Sequence, residues 1–337
     1  MSPPAKKQKT LDQNESLEDF SEQDLQSMEI LNNDCLLRIF SYLKMRELVA
    51  LETMSTRFQD LVQYTYRKYK VFDVNEEGCT TNAIAKVIST KIGPYVRTLR
   101  AHDDDFGGAS ELFFTNSMLS IILENCPKIE HLDFEWIDLN GNDMLPDIDA
   151  YVKRNIPCHI KSIKFKGCGE FFDSDDDQWF QMFTQLQELE SVDLSYNYFL
   201  DGTCLLFLKN LKEINLDECR SIEPEHFIEF CKNNRSLIKL NFVEHRRFDQ
   251  ECINAIGRYL TDLEVLNINS SDFPHDTNLA PLKKLLMLKS IDAKKLEDVD
   301  SISRAMRNNL LTLLINLNRE SDSDSEETDD ESECVIM

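Results

Sequence analysis

Cys334-Val-Ile-Met337 is the run in this 337-residue sequence whose residue types and order match a defined covalent modification. A cysteine followed by two aliphatic residues and one last residue is a prenyl-acceptor box, and methionine in the last place favours farnesyl. The modification would fall on the Cys334 thiol. A single lipid chain gives weak, reversible membrane binding. Residues 320–333, just before the box, hold nine acids and no base, and anionic lipid repels them. The expectation is at most weak membrane contact through a farnesyl group. Ser and Thr among those acids also suit an acid-directed kinase.

Other constellations fail on spacing. The six histidines, at 102, 131, 159, 226, 245 and 275, form no His-x3-His pair and no His/Cys cluster at zinc distances. Asp103-Asp-Asp105 and Asp173-Ser-Asp-Asp-Asp177 suggest calcium. Counted from Asp173, however, the sixth position is Gln178 where an EF-hand loop needs Gly, and the twelfth is Thr184 where it needs Glu. The nine glycines build no phosphate-cradling loop, and no nucleophile elbow occurs. The sequence predicts no catalytic residue, no metal and no cofactor.

The ten cysteines include no Cys-x-x-Cys pair. No apolar region follows the N-terminal lysines as a secretory signal requires, and no run approaches the length of a membrane span. These features predict a reducing compartment, cytoplasmic or nuclear, with free thiols used as small hydrophobes. Lys6, Lys7 and Lys9 read either as an import signal or as a solvated basic tail. The formal net charge is −24, of which −9 lies in residues 320–333. So acidic a chain lacks the clustered bases that nucleic acid requires.

The elements that must position any site come from a repeat. Leu-x-x-Leu-x-Leu, with other aliphatics or Phe allowed, recurs as Ile129-Glu-His-Leu132-Asp-Phe134, Leu189-Glu-Ser-Val192-Asp-Leu194 and Leu237-Ile-Lys-Leu240-Asn-Phe242. Its central positions, from Leu99 to Leu313, are 33, 31, 29, 22, 26, 26, 25 and 22 residues apart. A short strand repeated at this period is the signature of a leucine-rich-repeat solenoid, in which no repeat buries its apolar side alone. Asn116–Cys126, His226–Cys231 and Gln250–Leu260 carry apolar stripes and read as convex helices. The consensus places Asn or Cys three residues after the third aliphatic, where it bonds turn backbone. Cys168, Asn197, Cys219 and Asn318 fit, whereas His245, Ser271 and Leu296 do not.

Residues beside the central aliphatic face the concave side. Asp133, Lys164, Asp193, Asn215, Asn241 and Asn267 fall in one such column, and Lys166, Ser195 and Asp217 in the next. Lys164 and Lys166 form a basic rung among acids. A mixed polar wall suits a folded protein or peptide. The alternative is that its Asn and Asp ladders merely satisfy one another.

Ahead of the repeats lies a short helical region, residues 28–70. Asn33 or Asp34 is the expected cap, and Leu36, Ile39, Phe40 and Leu43 follow at helical spacing. Leu48, Leu51 and Met54 mark a second helix, and Arg57 to Tyr66 a third. Three helices in so few residues carry more apolar surface than they can cover. The region resembles an F-box through Leu31, Asp34, Leu36, Leu37, Ile39, Phe40, Ser41, Tyr42, Leu43, Glu47, Leu48 and the Ser55-x-Arg57-Phe58 corner, with Asn32 where many F-boxes have Pro.

Taken with the repeats, the chain resembles the F-box/leucine-rich-repeat family over about residues 28–318, and several members of that family also end in a prenyl box. The resemblance implies the substrate receptor of an SCF-type (Skp-cullin-F-box) ubiquitin ligase. In such a receptor the F-box docks a Skp-type adaptor, and through it a cullin, while the repeats hold a protein target for proteasomal degradation. The expected adaptor contacts are Leu31, Asn32, Leu36, Ile39, Phe40, Leu43 and Leu48. The rival readings are an interaction scaffold outside any ligase and an acidic nuclear regulator. The predicted fold is α/β: residues 1–27 too polar to order, a three-helix unit at 28–70, a curved solenoid of about nine repeats at 71–318 with parallel strands concave and helices convex, and an acidic tail at 319–337.

Overall fold

The computed structural model describes residues 28, 30–103, 114–139, 144–155, 158–168, 181–245, 248–268, 278–292 and 314–315. The prenyl box, the acidic tail, Lys6, Lys7, Lys9, the Asp173–Asp177 run, Ser271, Leu296 and Asn318 lie outside them. The chain divides into two compact units between Arg67 and Lys68.

The first unit is three helices: α1 (Asn33–Phe40), α2 (Met45–Glu52) and α3 (Thr56–Tyr66). The cap of α1 is Asn32, one residue earlier than expected. Its side-chain oxygen accepts the Cys35 N–H at 2.8 Å, satisfying one of the helix's orphan donors. The residue that departs from the F-box pattern therefore starts the helix that pattern requires. Glu47 accepts the Lys44 N–H at 2.7 Å at the start of α2, and Ser55 accepts the Phe58 N–H at 3.2 Å at the start of α3. In α3 the buried residues are Phe58, Leu61, Val62, Thr65 and Tyr66, one stripe at three- and four-residue steps. Phe40 meets Phe58 edge to face, with ring centroids 5.8 Å apart.

The second unit is a leucine-rich-repeat solenoid. Ten parallel strands, β1 (Val71–Asp73), β2 (Thr98–His102), β3 (His131–Glu135), β4 (Ser162–Lys166), β5 (Ser191–Asp193), β6 (Glu213–Asn215), β7 (Lys239–Asn241), β8 (Val265–Asn267), β9 (Ser290–Asp292) and β10 (Leu314–Ile315), pair in strict sequence order. Phe72, Leu99, Leu132, Ile163, Val192, Ile214, Leu240, Leu266, Ile291 and Ile315 share one register row. Two expectations are corrected here. A strand, Val71–Asp73, precedes the first repeat read from sequence, because Val-Phe-Asp is too short to show the full pattern. The last strand puts Ile315, not Leu313, opposite Ile291, since three adjacent aliphatics, Leu313-Leu-Ile315, leave the register unmarked in sequence.

The return paths differ between repeats. Helices α4 (Asn82–Ile92), α5 (Asn116–Asn125), α6 (Leu145–Arg154), α7 (Pro224–Asn233) and α8 (Gln250–Tyr259) serve five of them. 3-10 turns stand at Gln181–Gln185, Thr203–Phe207 and Ala280–Lys284, between strands whose centres are 29, 22 and 25 residues apart. A 3-10 turn needs fewer residues to cross the same gap.

The turns after β4 to β7 are held by one ladder. Cys168 Sγ donates to the Phe134 carbonyl at 3.4 Å, Asn197 Nδ2 to Phe165 at 2.8 Å and Cys219 Sγ to Leu194 at 3.0 Å. His245 Nε2 then donates to the Leu216 carbonyl at 2.9 Å. The expectation that His245 breaks the pattern is therefore wrong, because its imidazole N–H reaches the same acceptor as the Asn and Cys side chains. Among the described residues eight of nine free cysteines are buried and only Cys35 is exposed. Burial pushes the thiols of Cys79, Cys126 and Cys252 up to about 12, so they pack as apolar groups.

Candidate functional site

On the three-helix unit the expected adaptor contacts separate by burial. Leu36, Phe40 and Leu48 are fully buried, so they hold the unit together and present no surface. Leu31 and Leu43 are half-buried, Asn32 is exposed as the cap, and Ile39 is 37% exposed. Sequence reasoning passed over Ile30 and Tyr42 as contacts, although they are 85% and 72% exposed. The Arg38 guanidinium lies over the Tyr42 ring, 5.2 Å from its centroid. Arg57 ties α3 to the start of α1 by donating to Asn33 Oδ1 at 2.8 and 3.0 Å. Ser55, Arg57 and Phe58, the corner read from sequence, thus serve as cap, tie and core.

On the solenoid the concave columns differ between the two ends. Over β1–β4 the charges alternate and pair. Asp73 lies 3.7 Å from Arg100, Arg100 2.8 Å from Asp133, and Asp133 3.4 Å from Lys164. Lys164 also bonds Glu135, which Lys166 approaches at 3.5 Å. Burial opposes ionisation of Glu135, but the Lys164 hydrogen bond and both lysine charges outweigh it and hold its carboxyl below the usual range. This end of the wall is self-neutralised.

Over β5–β8 amides replace the bases. Asn215 donates to Asp193 at 3.2 Å, and Asn215, Asn241 and Asn267 are register partners on successive strands. Asp217 accepts the Val243 N–H at 3.1 Å. Burial, then the negative charges of Asp193 and Glu218, push its carboxyl up to about 6, against that N–H and Lys239. Ser195, expected on the wall, is buried at 2% exposure, because the chain already turns inward there.

No protein-family model and no curated protein matches the chain. Among the solved structures similar to it are two. One is an internalin C2 from Listeria monocytogenes str. 4b F2365, at 17% identity over 66% of this chain and 71% of that one, with a TM-score of 0.32. The other is the Rad7 and Elc1 complex in yeast, at 12% identity over 86% of this chain and 78% of that one, with a TM-score of 0.43. Neither likeness carries functional weight at these values.

The feature that sequence reasoning missed is aromatic. Two residues past the third aliphatic the backbone turns left-handed in five successive repeats: Trp136, Gly167, Tyr196, Glu218 and Glu244 have φ of 61, 60, 64, 63 and 62°. A bulky L-residue there costs about 1–2 kcal/mol. The turn persists because each N–H reaches the next strand's exit: Trp136 to the Lys166 carbonyl, Gly167 to Ser195 and Tyr196 to Asp217, all at 2.8 Å. Gly167 is required twice over, by its φ and because the Trp136 indole fills the place of a Cβ. The indole thereby reaches Tyr196, with ring centroids 5.4 Å apart, and Tyr196 reaches Tyr198 at 6.4 Å. The period was visible in sequence as aromatics recurring at one repeat position, Trp136 and Tyr196, interrupted by Gly167.

No group of three or more His, Cys, Asp or Glu among the described residues is placed to hold a metal ion, and no helix among them is long and apolar enough to cross a membrane.

Proposed function

We propose that the chain is the substrate-recognition subunit of an SCF-type ubiquitin ligase. In this reading the three-helix unit is an F-box that docks a Skp-type adaptor and through it a cullin. The concave wall holds a target protein, and the chain itself does no catalysis. The observation that carries the reading is a unit of about 40 residues that leaves Ile30, Ile39 and Tyr42 uncovered while its own core is complete. A small helical unit with apolar side chains left over suits a constant partner, and an exposed aromatic is a common interface anchor. The solenoid supplies a separate, polar surface for a variable partner.

The test uses surface residues. Ile39→Asp with Tyr42→Ala is expected to cut adaptor co-purification at least tenfold, anchors of this kind each contributing about 2 kcal/mol, while thermal melting of the chain stays unchanged. Adaptor recovery equal to the parent's would refute the docking surface. In the same reading Cys334 carries a farnesyl group, and an intact-mass measurement on protein from eukaryotic cells showing an unmodified C-terminus would remove that element.

A further inference from the structure

One edge of the solenoid is basic in a chain that is otherwise acidic. The strands are parallel and each return path runs back against them, so the ends of the return paths and the starts of the strands line one edge. Backbone bonds join its repeats: the N–H groups of Lys212, Ile238, Glu264 and Lys289 each donate to the carbonyl one repeat earlier, at 2.7–2.8 Å. From β6 to β9 this edge comprises residues 206–213, 229–239, 255–265 and 281–290, with nine bases against four acids. Residues 68–319 as a whole carry −12. Two of the four acids are already engaged, Glu229 with Lys232 at 2.8 Å and Glu264 with Lys289 at 2.7 Å. Lys209, Lys212, Arg235, Arg258, Lys283 and Lys284 pair with no carboxylate among the described residues. Arg235 and Arg258 come from successive repeats and both lie against the Tyr259 ring, 5.8 and 5.2 Å from its centroid.

Helix dipoles account for part of this edge. A base in the last turn of a helix is favourable, as Lys232 is in α7 and Arg258 in α8. Lys209, Lys212, Lys283 and Lys284 serve no α-helix, since they follow or lie in the 3-10 turns. Bases crowded along one edge repel one another, and an acidic occupant relieves that repulsion. The chain itself carries one. Residues 320–333 hold nine acids and no base, and they begin five residues after Ile315 of β10, the strand at this end of the sheet. Strand spacing places β6 about 19 Å from β10. The eighteen residues from Ile315 to Glu333 reach about 60 Å when extended. A tethered segment meets the edge at an effective concentration of mM order, which a separate acidic partner must outcompete. We propose that residues 320–333 dock on the basic edge between β6 and β9 of their own chain and close it to acidic partners. The proposal is independent of the receptor reading.

The test is carbodiimide cross-linking of the full chain, which joins a carboxylate to a lysine amine in contact with it, read by mass spectrometry on the monomer band. Peptides from residues 320–333 are expected on Lys209, Lys212, Lys283 and Lys284 at least five times as often as on Lys44, Lys86 and Lys166. The yield is expected to fall at least tenfold between 0.01 and 1 M salt, over which the screening length drops from about 30 to about 3 Å. Arg235→Gln with Arg258→Gln removes two charges and no amine, and is expected to cut these links at least threefold at unchanged melting temperature. Absence of the links overturns the proposal and leaves the edge to a separate acidic partner. Links found only in dimers overturn it in favour of a second copy's acidic segment. Links spread evenly over all lysines, or unchanged in the double arginine variant, overturn it because contact is then random.

Discussion

Leu36→Ala combined with Phe40→Ala is expected to unfold the three-helix unit while the solenoid stays folded. Both side chains are fully buried, one helical turn apart on α1, and the Phe40 ring packs edge to face on Phe58. Burial on that scale makes Leu→Ala cost about 2–5 kcal/mol and Phe→Ala about 3–5 kcal/mol. The two sites are neighbours, so the losses do not simply add. Even the smaller figure rivals the whole stability of a unit of this size. Hydrogen exchange on the double variant is expected to show residues 31–66 losing protection while amides of β2–β8 keep theirs. Retained protection across α1–α3 would show that the two side chains are dispensable to the core. The distinction matters for function. Loss of adaptor in this variant reports unfolding, whereas loss in the Ile39→Asp and Tyr42→Ala variant reports a missing contact.

The same contrast shows what the sequence could reveal. The helical spacing of Leu36, Ile39, Phe40 and Leu43 marks an apolar side of α1, but spacing cannot say which apolar residues face inward and which are left over. That division depends on where Phe58 and Leu61 arrive from α3, twenty residues away. The strands were legible because a period-2 pattern repeated at 22–33 residues has few other physical solutions. Val71–Asp73 and the register of Ile315 were not, since one lacks the pattern's length and the other sits among three adjacent aliphatics, Leu313-Leu-Ile315, that show no alternation. His245 shows the limit of residue-type rules. The ladder needs one side-chain N–H or S–H aimed at the preceding carbonyl, and imidazole supplies it as Asn and Cys do. The spacing put charged residues beside the central aliphatics, but sequence could not show that Asp73, Arg100, Asp133, Lys164, Glu135 and Lys166 neutralise one another. Nor could it show the left-handed turns, which arise from the carbonyls awaiting Trp136, Gly167 and Tyr196 on the next strand.

The ladder position of His245 makes stability depend on pH. A carbonyl only accepts, so the Leu216 contact fixes the proton on Nε2, and the ring is stacked on Phe242 at 3.4 Å between centroids. Burial pushes its pKa down to about 3, against the Leu216 hydrogen bond, from an ordinary value of 6.5. Below pH 6.5 the unfolded chain therefore takes up a proton at this site that the folded chain refuses, and stability is lost as pH falls from 6.5 towards 3. The loss is about 1.4 kcal/mol per pH unit, or about 2 kcal/mol by pH 5. Asp217 acts in the opposite sense. Its folded value of about 6 lies above the ordinary 3.8, so folding gains as pH falls between those values, by an amount reduced because the carboxylate is partly solvated. The parent protein sums the two, and the sum hides each. His245→Asn keeps a donor for the Leu216 carbonyl and has nothing to titrate. Its melting temperature relative to the parent is expected to be flat above pH 7 and to rise steadily as pH falls below 6.5, while Asp217→Asn shows an advantage above pH 6 that disappears towards pH 4. Parallel curves for the parent and His245→Asn would mean that the imidazole protonates in the folded state at its ordinary pH, and that the ladder opens there without cost.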